Sequence, residues 1–273
     1  MRIHLSNQRP QRNLYTGIIM AEGTFVNAFP WKMNMQKREE IVMEFEALRR
    51  RVYEANMELF HRNLIVYTWG NVSEADRAAG VFAIKPSGVP YETLKPQDIV
   101  VLSLADGARV AGELNPSSDT PTHLELYRAF PEIGGVTHTH STCATAWAQA
   151  CSPIPCFGTT HADYFHGAVP VTRCLTPEET KRAYEAETGR VIAETFAGCN
   201  PVHTPAVLVA GHGPFTWGKD GAQSVYHAVV LEQVAQMALM TRAIRPDQPP
   251  LPQWIEDKHF LRKHGPNAYY GQR

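Results

Sequence analysis

The chain has 273 residues, 44% of them hydrophobic and 19% charged, with a formal net charge of -1. That length can bury a full core as one domain with additions, and the near-neutral charge excludes a broad basic field for nucleic acid or an anionic membrane. The five cysteines are odd in number and contain no Cys-x-x-Cys pair, which reads as reduced thiols in a cytoplasmic protein, and no apolar run reaches the roughly 20 residues of a membrane span.

Residues 1–34 stand apart. Met1 to Met20 hold Arg2, Arg9 and Arg12 and no acidic residue, a faint transit-peptide composition without the apolar core of a secretory signal. The stretch reads as a dispensable, disordered extension, such as an upstream start codon leaves ahead of Met33 and Met35. Residues 35–273 form the folded domain. From Gln36 to His61, Ile41, Phe45, Leu48, Val52, Ala55 and Leu59 recur at spacings of three and four, one face of an amphipathic helix.

Strands are expected at Leu64–Trp69 and Val81–Ile84, and at Asp98–Leu104 and Arg109–Glu113 around the hairpin signal Ala105-Asp106-Gly107-Ala108. Ser117-Ser118-Asp119-Thr120-Pro121 opens a helix to Phe130, with small polar residues as N-cap candidates and proline in the first turn. A strand through Thr137-His138-Thr139-His140 follows, then a helix over Thr142–Ala150 and a stretch over Gly158–Phe165 that is mostly loop. A helix over Pro177–Phe196, a strand over Ala206–Ala210, a long helix over Ala222–Ala243 and a last helix over Trp254–Lys263 complete the order. Strands in hairpin-like order mixed with helices predict an α/β fold with a mixed or antiparallel sheet.

Three groups of residues could carry chemistry. In a strand, residues two apart share a face, so His138 and His140 project side by side, and neutral imidazole is a good ligand for zinc and similar ions. His212, between two glycines at a strand end, adds a third nitrogen, and three ligands with an open position is a catalytic pattern. Asp119 is either a fourth ligand or the cap of its helix. Gly70-Asn71, Ser87-Gly88 and Ser117-Ser118 are small polar turns whose N–H groups and hydroxyls suit an anion, with Lys85 near enough to add a charge. No dinucleotide or Walker fingerprint is present. Asp163 in its loop and Tyr270 in the tail are acid–base groups that say little alone.

Read together, seven blocks resemble the class II aldolase/L-ribulose-5-phosphate 4-epimerase family, and within it the epimerase branch. They are Thr68–Ser73, Lys85–Gly88, Ser117–His123, His138–Ser141, Thr159–Phe165, Gly211–Phe215 and the ending Lys263–Gln272. The resemblance implies an α/β fold with a central, mainly antiparallel β-sheet flanked by helical layers. It implies a C4 homotetramer with active sites between subunits. It assigns one divalent metal per subunit, usually zinc with manganese or cobalt as alternatives, to Asp119, His138, His140 and His212. The phosphate of a small phosphorylated ketopentose falls to Asn71, Ser87, Gly88, Ser117 and Ser118, with Lys85 nearby. Asp163 and, from a neighbouring subunit, Tyr270 match the acid–base pair, and His259 and Arg262 match supporting positions. The implied reaction interconverts L-ribulose 5-phosphate and D-xylulose 5-phosphate by C3–C4 cleavage and re-formation. Related aldolases that cleave sugar 1-phosphates carry Glu where Asp119 stands, and a metal-dependent aldolase of the same family is the alternative.

Overall fold

The computed structural model describes residues 45–271. The expected extension at 1–34 and the first part of the helix expected from Gln36 lie outside the described residues. Among them, helix α1 (Glu46–His61) turns Leu48, Val52, Ala55 and Leu59 inward, as the spacing predicts. Seven strands follow in one sheet: β1 (Gly70–Asp76), β2 (Val81–Ile84), β3 (Val100–Ser103), β4 (Arg109–Ala111), β5 (Gly135–Thr139), β6 (Ala206–Leu208) and β7 (Pro214–Gly218). Their spatial order is β4-β3-β2-β1-β5-β7-β6, and every neighbouring pair is antiparallel. Between them run α2 (Thr120–Ala129), α3 (Thr142–Gln149), the single turn α4 (Thr159–Ala162), α5 (Pro177–Thr195), α6 (Gly221–Ile244) and α7 (Gln253–His264). The α/β fold with an antiparallel sheet between helical layers is as expected.

Strand periodicity sorts the two faces. Phe82, Ile84, Val136, Phe215 and Trp217 meet α2 and α5 through Leu124, Tyr127, Phe130, Ile192 and Phe196. The rings of Phe130, Phe196 and Trp217 lie 5.1–5.6 Å apart, each such pair adding about 0.5–1.5 kcal/mol beyond burial. On the opposite face, Val72 packs with Ala55 and Leu59 of α1 and Val225 and Ala228 of α6. Gly135 permits the close approach of α6 to β5: a Cβ there would stand 2.1 Å from the Asp220 carbonyl oxygen. Glu74 of β1 then accepts the Gly221 N–H at 3.0 Å, satisfying one orphan donor at the start of α6.

Three local expectations are corrected. Leu64–Trp69 is a turn, and the strand begins at Gly70; Asn63 and Tyr67 adopt positive φ, and Leu64 and Ile65 fold back onto α1 instead of pairing. Gly70 itself has φ +134, and a Cβ would stand 2.8 Å from the backbone carbonyl oxygen of His138, so the junction needs glycine. Within Gly158–Phe165, Thr159–Ala162 closes one helical turn. The strand Pro214–Gly218 had no counterpart among the expected elements; proline is tolerated there as a first strand residue.

Candidate active site

The site stands at the end of the sheet on the face covered by α2 and α5. Register places Asn71 of β1, His138 of β5 and Phe215 of β7 in one row across three strands. Phe215 stacks on the His138 ring at 4.2 Å, and the Pro214 carbonyl lies 3.0 Å from His138 Nδ1. A carbonyl only accepts, so Nδ1 carries the proton and Nε2 presents a lone pair. That lone pair faces His140 Nε2 at 3.1 Å. His212 arrives from the β6–β7 turn, held by Val209 N–H to Gly213 O and His212 N–H to Val209 O. Its ring centroid is 4.8 Å from that of His138 and 5.1 Å from that of His140. Ligand atoms of the three histidines lie within 4.8 Å of one another.

Electrostatics keep these rings neutral. Burial, followed by the charges of His212 and His140, outweighs the pull of Asp119 and drives His138 down to about 3. Burial also lowers His140 against the opposing charge of Asp119, and burial with the charge of His140 lowers His212. Asp119 stays ionised: burial opposes its charge, but His138, His123, the Asn71 amide and His212 together hold it below the usual carboxylate range. Three neutral imidazoles converge here beside an ionised carboxylate, and that is the kind of nitrogen and oxygen donor set a divalent metal takes. Asp119 stands outside the tight set of three. It occupies the N-cap position of α2 without making a side-chain cap, and its Oδ2 instead accepts from Asn71 Nδ2 at 2.7 Å.

A cleft of about 420 Å³ opens over these groups and is walled by Asn71, Lys85, Ser87, Gly88, Ser117, Ser118 and Asp119 with the three histidines. The two serine turns are laced together, Ser87 N–H to Asn115 O at 3.0 Å and Ser117 N–H to Lys85 O at 3.1 Å. Asn71 Nδ2 also reaches Ser117 Oγ at 3.1 Å, and its buried Oδ1 has no partner among the described residues. Lys85 is 2% exposed. Its ammonium donates to Val89 O at 2.6 Å and Pro86 O at 3.3 Å and sits 4.7 Å over the Tyr91 ring, so it braces the Ser87-Gly88 turn from behind. Burial lowers it to about 8.

The remaining expected residues form a second cluster that does not line this cleft. Arg262 grips Asp163 with Nε at 3.0 Å and Nη2 at 2.7 Å, His259 Nδ1 lies at 3.1 Å and Lys263 Nζ at 3.4 Å. Burial works against the Asp163 charge, but these partners hold its carboxyl below the ordinary range. Tyr270 belongs to the same cluster, with Arg262 at 5.0 Å and Lys263 at 4.4 Å over its ring. Sequence reasoning missed the cleft residues Tyr184 and Glu185, which sit inside a helix with no motif to mark them, and the pairing of Lys263 with Asp163. A larger groove of about 630 Å³ between α1 and α6 is lined by apolar side chains and charges such as the Arg51–Glu74 pair, without converging donors.

Fold and site together place the chain in the class II aldolase/adducin family. The family profile described as Class II Aldolase and Adducin N-terminal domain matches residues 50–239. Among solved structures, an L-fuculose 1-phosphate aldolase is 25% identical, with TM-score 0.65 over 78% of this chain and 94% of its own. YgbL from Klebsiella pneumoniae, assigned provisionally as an aldolase/epimerase/decarboxylase, is 25% identical with TM-score 0.62 over 78% and 97%. L-fuculose-1-phosphate aldolase from Thermus thermophilus is 25% identical with TM-score 0.55 over 75% and 98%. Among the described residues, no helix is long and apolar enough to cross a membrane.

Proposed function

We propose that this protein is an L-ribulose-5-phosphate 4-epimerase, interconverting L-ribulose 5-phosphate and D-xylulose 5-phosphate by breaking and re-forming the C3–C4 bond. The observation that carries this reading over an aldolase is the assembly of Asp163, His259, Arg262 and Tyr270, the acid–base and supporting set of the epimerase branch. Asp at position 119, where related aldolases carry Glu, points the same way. A specific observation favours the second reading, a metal-dependent aldolase: two of the similar structures are L-fuculose-1-phosphate aldolases.

His138, His140 and His212, with Asp119 beside them, would hold one divalent cation, zinc before manganese or cobalt. When bound, it supplies Lewis acidity to the oxyanion that develops as the carbon–carbon bond breaks. The N–H groups and hydroxyls of Ser87, Gly88, Ser117 and Ser118, with the Asn71 amide, would take the phosphate, while Lys85 keeps one of those turns in shape. Inversion at C4 requires proton handling on two faces of the sugar, which Asp163 Oδ and the Tyr270 hydroxyl would provide. Both belong to one cluster that does not line the same chain's cleft, so a neighbouring subunit that supplies one would supply the other. A cyclic homotetramer with sites between subunits meets that need. Each cluster would bring a net positive charge, Arg262 and Lys263 against Asp163, towards an anionic substrate.

The test is proton NMR of the purified protein with L-ribulose 5-phosphate, with and without a chelator. Chelator-sensitive formation of D-xylulose 5-phosphate is expected. No epimer, with dihydroxyacetone phosphate released from L-fuculose 1-phosphate, would move the protein to the aldolase branch.

A further inference from the structure

Helix α5 is broken within. It opens with a capping box between Thr176 and Glu179, yet Ala183 has φ -167 and ψ 72, outside helical geometry. No proline or glycine stands there, so the break is imposed from outside. Its anchors lie on α2, the helix that Asp119 begins. Thr122 Oγ1 donates to Glu185 O at 2.7 Å, and Gly189 brings the two helices so close that a Cβ would stand 2.6 Å from Glu125 Cβ. On the helix itself, Thr188 Oγ1 donates to Tyr184 O at 2.8 Å and Arg182 Nε to Glu187 Oε1 at 2.9 Å. A departure from regular geometry held on two sides is a built feature.

The break delivers Tyr184 to the mouth of the cleft, where its hydroxyl lies 3.5 Å from His212 Nδ1 and the two rings are 6.2 Å apart. We propose that Tyr184 is the positioning residue of His212: its oxygen accepts the Nδ1 proton, fixes the tautomer and leaves Nε2 free for the metal. The inference rests on the reading of the three histidines as a metal centre. His138 has the Pro214 carbonyl in the equivalent role, while the His212 ring has no other hydrogen-bond partner shown among the described residues. The second ring nitrogen of a metal-bound histidine is normally held by such an acceptor. A 3.5 Å separation is at the outer limit of a hydrogen bond, and contacts of this kind tighten when the site is filled. Burial, with the charges of Asp119 and Glu185, raises the Tyr184 hydroxyl above its ordinary value, so it remains a neutral phenol.

The experiment is a competition for Zn²⁺ between the purified protein and a chromophoric chelator, without substrate, for wild type, Tyr184→Phe and Thr122→Val. Tyr184→Phe should bind zinc about tenfold more weakly with an unchanged melting temperature in metal-free buffer. Thr122→Val, which releases the break but keeps the hydroxyl, should weaken zinc in the same direction by a smaller factor. Zinc affinity of Tyr184→Phe within twofold of wild type would overturn the role of Tyr184. Failure of the wild type to take up zinc would overturn the metal centre itself, which separates the two failures.

Discussion

The histidine cleft and the Asp163 cluster are opposites in how their charges are satisfied. In the cleft, His138 Nε2 meets His140 Nε2 at 3.1 Å, with Asp119 ionised beside them and no cationic side chain facing them among the described residues; Lys85, in the cleft wall, is turned into the carbonyls of Pro86 and Val89. Around Asp163 the reverse holds, with Arg262, Lys263 and His259 all converging on one carboxylate. The first region gathers donors around no cation of its own, which the proposed metal would supply. The second already has its carboxylate paired within the chain. On the proposed function, the difference separates what each region would need: the cleft an ion, the cluster a second subunit.

That contrast can be broken at its strongest point first. His140→Ala removes a nitrogen from a partly exposed position, so fold should survive while zinc uptake and turnover collapse, the latter by at least about a thousandfold, or about 4 kcal/mol. Metal analysis and the NMR assay check it, and wild-type turnover in chelator would remove His140 from the ligand set.

A second effect of about 3 kcal/mol belongs to acid. His161 is buried on α4 with Nε2 2.9 Å from Gly167 O, and burial lowers it to about 4. Between about pH 6.5 and 4 the unfolded chain binds a proton that the native one refuses. Stability is therefore full above 6.5 and falls as pH drops through that window. Melting temperatures in chelator from pH 8 to 4 should show this, and His161→Gln should make the slope shallower, while His123 and His138, also lowered by burial, keep their share. An identical acid slope in the variant would assign it elsewhere.

Asp163→Asn tests the second region. Loss of about a hundredfold in epimerisation is expected, or about 2.7 kcal/mol, with zinc affinity retained, because Asp163 lies outside the cleft. Weakened zinc binding would show the two regions to be coupled within one chain. Lys85→Met is smaller. Without the ammonium, the Ser87-Gly88 turn loses its brace, and KM should rise about tenfold with kcat little changed; an unchanged KM would show that the turn keeps its shape unaided.

The parts of this arrangement that follow local rules are the parts legible in the chain. His138 and His140 could be placed on one face because strand periodicity is strict, and the Ser117–Pro121 run announced the start of α2 with Asp119 at its edge. The Asp163–Arg262 pair could not be derived from spacing, since 99 residues separate the partners and only the docking of α7 on α4 joins them. The inward turn of Lys85 depends on Tyr91 and Val89 folding over it, and the break at Ala183 on Thr122 of another helix. Leu64–Trp69 misled because an apolar run that closes a helix end has the same composition as a buried strand.

The smallest effect concerns what supports the cleft from below. Helix α3 follows His140 directly, and Ser141 at its N-cap makes no side-chain cap. Its first donors are taken from across the fold: the Cys143 and Ala144 N–H groups donate to Glu232 Oε1 and Oε2 at 2.7 and 2.9 Å. A carboxylate at a helix N-terminus is favourable both as an acceptor and against the helix dipole. Glu232→Ala should therefore cost about 1 kcal/mol, read as a lowered denaturation midpoint at constant m-value. Because β5 itself is held by pairing with β1 and β7, zinc affinity should change by less than twofold. A larger loss of zinc would mean that α3, and not the sheet, sets the position of His140, and the cleft would then be less rigidly built than its strand register implies.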